Sequence, residues 1–165
     1  MEEMEVPTEG LQETINERAK EEKAWTMYVA ISTAFMAVFA AISGMLAGHY
    51  SNEALIKQIK ASDQWSYYQA KGIKGQIATL NPIKDTAGVA KYKNEQGVIK
   101  EKAEGFEKES EELLAKHVIL ARAVTLFQIA IAISAISILT RKKILWYAAI
   151  LLAVVGVGFF ILDYI

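Results

Sequence analysis

The chain has 165 residues, 53% of them apolar and 22% charged, with a formal net charge of −1. That length suits one domain, the near-neutral balance leaves no basic footprint for nucleic acid, and the absence of cysteine excludes disulfides, thiolate metal sites and cysteine nucleophiles. Apolar and charged residues are segregated along the chain instead of interleaved, which argues for a membrane protein over a water-soluble globule.

Residues 1–23 form an acidic amphipathic segment, with eight glutamates against Arg18, Lys20 and Lys23. The apolar stretch that follows is longer than the roughly 7–15 residues of a signal-peptide core, so it is expected to stay in the mature protein. It reads as transmembrane helix 1, residues 24–49. Trp25 to Gly48 carries no formal charge for 24 residues, and about 20 apolar residues suffice to cross hydrocarbon as a helix. Trp25 and Tyr28 open this span while His49 and Tyr50 close it, as an interfacial aromatic belt predicts. Ala40, Gly44 and Gly48 form a small-residue ridge that lets another helix backbone approach closely.

Residues 50–122 read as an extramembrane helical hairpin with its break at 81–82. The only prolines are Pro7 and Pro82, so nothing forces a stop between Thr8 and Leu80, although Ser51-Asn52-Glu53 offers a place to cap a fresh helix. Asn81-Pro82 reads as a cap with proline at the first helical position, starting a second helix near Ile83 that runs to Thr140. An arm from Ser51 to Leu80 measures about 45 Å at ~1.5 Å per residue.

The second arm has a clear seam. Tyr92, Gln96, Ile99, Ala103, Phe106, Ser110, Leu113, His117, Leu120, Val124 and Phe127 alternate spacings of four and three, the repeat of coiled-coil packing. The first arm keeps the same spacing at Leu55, Ile59, Ser62, Ser66, Gln69, Ile73, Gln76 and Leu80, with half of the positions polar. This stripe is the expected partner of the second-arm seam. A second stripe, Ala61, Trp65, Tyr68, Gly72 and Gly75, lies about a quarter turn away and is expected to make a further contact outside the arm pair.

Transmembrane helix 2 is placed at 123–140 and transmembrane helix 3 at 144–162, with a basic turn at 141–143 between them and a short end at 163–165. Trp146, Tyr147 and Tyr164 mark the edges of the third span. Lysine and arginine in short flanks set orientation. Arg141-Lys142-Lys143 and the cations before the first span vote together for a cytoplasmic amino terminus, which puts 50–122 outside. The fold class is an all-α membrane protein with three transmembrane helices and a long antiparallel, coiled-coil-like helical hairpin between the first and second.

The strings Gly48-His49-Tyr50-Ser51-Asn52-Glu53-Ala54-Leu55 and Asp63-Gln64-Trp65-Ser66-Tyr67-Tyr68-Gln69-Ala70-Lys71 resemble a bacterial membrane family known as domain of unknown function 4337. Leu120 to Ala132 and the Thr140-Arg141-Lys142-Lys143 turn look like its second block. The resemblance spans essentially the whole chain and implies a bacterial inner-membrane protein, without supplying an activity or catalytic residues.

Candidate chemistry is sparse. His49 and His117 flank the same membrane edge and, with Glu53 and Glu111 or Glu112, would be the metal candidates. Two such ligands without a close third are weak, and an interfacial histidine beside Tyr50 and a polar layer in a coil explain them. No Asp, Glu, Lys or Arg lies within a span, whereas coupled transport usually shows intramembrane ionisable groups. No phosphate loop, HExxH or GxSxG occurs. The reading is therefore a non-enzymatic scaffold or complex subunit without cofactor. It acts through self-association or a membrane-protein partner at Ala61, Trp65, Tyr68, Gly72, Ala40, Gly44 and Gly48. The alternative is a component of an oligomeric channel lined by Ser32, Ser43, Gln128, Ser134 and Ser137.

Overall fold

The computed structural model describes residues 8–80 and 86–162. The break assigned to 81–82, the end at 163–165 and the first seven residues lie outside the described residues. Three α-helices are present among the described residues: α1 Thr8–Leu80, α2 Thr86–Thr140 and α3 Lys143–Leu162. Each contains a stretch long and apolar enough to cross a membrane, so by composition the chain is a membrane protein.

The 73-residue α1 runs through Ser51-Asn52-Glu53 without interruption. A capping residue offers a helix start only where the preceding backbone leaves the helix, and no proline or unfavourable glycine cluster makes it do so here. The expected start of α2 near Ile83 falls in the undescribed stretch, and the helix is seen from Thr86. Its end at Thr140 is as the charge pattern indicated. Arg141 follows with φ 53°, the left-handed conformation that terminates helices and that usually belongs to glycine. Its amide bonds the Ile138 carbonyl at 3.3 Å, and α3 starts two residues on.

The chain divides into two units, Met1–Ser43 with Arg122–Ile165, and Gly44–Ala121. In the first unit Met36, Ala123, Phe127, Ala130 and Ala149 form a buried cluster, with Phe39, Ala40 and Phe160 packed against it. Phe127 is the largest fully buried side chain. It stacks on Phe39 at a centroid distance of 5.9 Å, and Phe39 meets Phe160 edge-on at 5.9 Å. Room for the Phe127 ring comes from Gly156: a Cβ there would sit 3.1–3.3 Å from three ring atoms. Trp146 Nε1 donates to Ser32 Oγ at 3.1 Å, and Arg141 pairs with Glu22 at 3.4 Å.

In the second unit α1 and α2 pack against each other. The α2 seam lies where its spacing placed it: every position from Tyr92 to Leu120 is buried or half-buried. The α1 side differs from the expectation. Ala47, Ala54 and Ala61, seven apart, are the buried residues of α1 in this unit, followed by half-buried Trp65, Tyr68, Gly72 and Gly75. The Leu55/Ile59/Ile73/Leu80 stripe is exposed instead. The Ala61 stripe thus takes the inner place expected of the Leu55 stripe, for the physical reason that small alanines allow closer backbone approach than branched side chains do.

Candidate functional site

The α1–α2 seam of the second unit is built by two ladders that share one register. In the first, side chains of α2 reach backbone carbonyls of α1. His117 Nδ1 lies 2.8 Å from the Ala47 oxygen, Ser110 Oγ donates to the Ala54 oxygen at 2.8 Å, and Gln96 Nε2 donates to the Tyr68 oxygen at 3.2 Å. Every step of seven up α1 is matched by a step of seven down α2. At the missing rung stand Ala61 and Ala103, both fully buried. A helix carbonyl keeps a spare lone pair after its own i+4 bond, and only a neighbour without bulk at Cβ lets a side chain reach it. Gly72 serves the same end: a Cβ there would lie 2.8 Å from Gln96 Nε2.

The second ladder is ionic. Lys57 pairs with Glu109, and Lys71 Nζ lies 2.6 Å from Glu95 Oε2, fourteen residues on along α1 and fourteen back along α2. Trp65 Nε1 donates to Glu107 Oε1 at 2.7 Å between these rungs. Lys71 also sits over the rings of Tyr67 at 5.2 Å and Tyr92 at 5.6 Å, a cation–π arrangement. The Glu95 carboxylate bound to it raises the Lys71 pKa above its ordinary value, and the bond from Lys71 lowers that of Glu95.

Ala61, Trp65, Tyr68 and Gly72 therefore line the contact with α2 of the same chain. Of the small-residue ridge, Ala40 packs against the Met36/Phe127 cluster, while Gly44 and Gly48 are exposed. A Cβ on Gly48 would meet nothing within 4 Å.

The two histidines are not brought together in a ligand set. His49 is exposed and lies 3.8 Å from Glu53, with its ring beside Tyr50. A carbonyl can only accept, so the Nδ1 of His117 carries the proton in its bond to Ala47. Among the described residues no group of three or more His, Asp or Glu side chains is placed to hold a metal. The residues considered as a pore lining differ in exposure. Ser43, Ser134 and Ser137 are fully buried, Ser32 and Ser137 donate to Val29 and Ser134 carbonyls of their own helices, and Gln128 is exposed.

One feature escaped the sequence reading. The exposed face of α1 in this unit carries Leu55, Ile56, Ile59, Ile73, Ile77 and Leu80, each at least half exposed. Its spacing is legible in the sequence, but spacing alone does not decide whether such a stripe faces α2 or points outward.

No curated protein matches this chain, and no solved structure does. The family model described as Domain of unknown function (DUF4337) matches residues 25–165, so nearly the whole chain, both helices of the ladder and all three apolar stretches included, belongs to that family.

Proposed function

We propose that the protein is a non-enzymatic membrane scaffold or complex subunit that works by helix–helix contact. The observation that carries this reading is the apolar face of α1 left exposed beside a seam already filled by α2. Leu55 at 60%, Ile59 at 54% and Leu80 at 83% remain in contact with solvent. Two apolar clusters lie on this face, Leu55/Ile56/Ile59 and Ile73/Ile77/Leu80, with Ser62, Ser66 and Gln69 between them, and exposed apolar patches usually mark a binding surface. In this reading 50–122 is an antiparallel, coiled-coil-like hairpin, the three apolar stretches cross a bacterial inner membrane, and Arg141-Lys142-Lys143 with the basic residues before the first span lie in the cytoplasm.

The test is the mass of the complex purified from native membranes in mild detergent, for wild type and for Leu55→Glu. An assembly heavier than the chain, lost in the variant, supports the reading. A wild-type monomer across mild detergents, with no chemical crosslinks in membranes, overturns it. Single-cysteine labelling at Lys60, an exposed position off the seam, applied from outside intact cells, tests the orientation: protection from an impermeant maleimide until lysis would reverse it.

A further inference from the structure

We infer that the partner of the exposed α1 face is a second copy of this chain, docked in parallel and in register; the inference rests on the scaffold reading above. The exposed face keeps its four-and-three alternation from Leu55 to Leu80, so it is a second helix-packing seam and not scattered surface hydrophobicity. The internal seam uses a different face of the same helix, so both seams can be occupied together.

Its charge pattern points to self-pairing. Copies inserted in one membrane with the same topology present α1 in the same sense. In a two-fold parallel contact each seam residue then meets its own counterpart, and any charge there would face an identical charge. The seam contains none. Its polar members, Ser62, Ser66, Gln69 and Gln76, are uncharged donors and acceptors that can bond to their own copies, and such polar layers fix register in parallel coils. Between Gly48 and Leu80 there are six Asp, Glu and Lys residues. Lys57 and Lys71 are turned to Glu109 and Glu95, and Glu53, Lys60 and Lys74 stand off the seam by the same helical spacing, leaving only Asp63 on its border. An acidic or basic partner would call for the opposite charge along this face. A copy of the same helix calls for no charge, and Gly48, at the end of the seam, permits close backbone approach.

The natural absence of cysteine makes the test direct. Single cysteines at Leu55, Ser62, Ser66 and Ile73, with Lys60 and Lys74 as off-seam controls, are introduced into full-length chains carrying two different tags and co-expressed. A short bismaleimide is then applied to native membranes. The expected result is a dimer band containing both tags at the four seam positions, at least about tenfold stronger than at the controls. Ile59→Glu and Ile59→Lys, each carrying the Ser62 cysteine, should lose that band about tenfold alone and recover it when co-expressed, because in-register pairing sets Glu against Lys. Helical circular dichroism and the Trp65 emission of each variant confirm that the α1–α2 ladder persists. Crosslinks at the seam to a different protein would overturn self-docking while leaving the scaffold reading intact. Equal crosslinking at seam and control positions, or no rescue on co-expression, overturns the parallel register. Free reaction of all four seam cysteines with a water-soluble maleimide and no crosslink would overturn both.

Discussion

The two units solve helix packing in different ways. In the unit formed by Met1–Ser43 and Arg122–Ile165, a large ring fills a gap left by a glycine: Phe127 lies against Gly156 and stacks on Phe39. In the unit Gly44–Ala121, the buried residues are mostly small, and specificity comes from α2 side chains that reach α1 carbonyls and from two ion pairs. The contrast follows from side-chain size. In the first unit close van der Waals fit between a ring and a glycine brings the helices together, whereas in the second a narrow alanine seam lets polar bonds form beneath the charged rungs. Hydroxyls turn back onto their own helix in both units, as Thr33 and Ser66 do.

Breaking the first kind of packing should have the largest effect. Phe127→Ala removes a fully buried ring and should cost about 3–5 kcal/mol, measured by unfolding in mixed detergent with circular dichroism. Adding Gly156→Leu to that variant should return part of the loss, because the new side chain occupies the space the ring vacated. Gly156→Leu alone should destabilise, since its Cβ meets the ring at contact distance.

Ala54→Leu tests the second kind. A branched side chain at this fully packed position pushes the two backbones apart, and overpacking costs about 1–3 kcal/mol. Leu55→Ala, one residue along on the exposed face, should leave the stability of detergent-isolated monomer nearly unchanged. A reversed result would place the Leu55 stripe, and not Ala54, against α2. Ser110→Ala should cost about 1 kcal/mol, the usual worth of a hydrogen bond whose remaining acceptor keeps its own helix partner.

The smallest effect concerns pH. Glu95 has a lowered pKa in the folded state, so its contribution is present above the unfolded value of about 4.5 and fades as pH falls through the lower, folded value. Lys71 has a raised pKa, so its contribution is complete below about 10.5 and is lost as pH rises through the higher, folded value. Between these limits the pair should add no pH dependence. Solvent screens such partly exposed pairs, so the acid loss should be modest, and Glu95→Gln should flatten it in acid-unfolding curves.

The sequence by itself determined a great deal. Uncharged runs of span length, bounded by aromatic residues and by Arg141-Lys142-Lys143, were enough to place three apolar helices, because hydrocarbon imposes a length and excludes charge. The α2 seam was equally legible, since Ile99, Phe106, Leu113 and Leu120 carry a strong apolar signal at constant spacing. Which stripe of α1 meets that seam was decided only in the folded chain. Leu55, Ile59, Ile73 and Leu80 outweigh Ala47, Ala54 and Ala61 on any scale of apolarity, so periodicity favours the wrong face. What reverses the choice is distance: alanine and glycine let the backbones come close enough for His117, Ser110 and Gln96 to reach main-chain oxygens, and that gain depends on two helices being together.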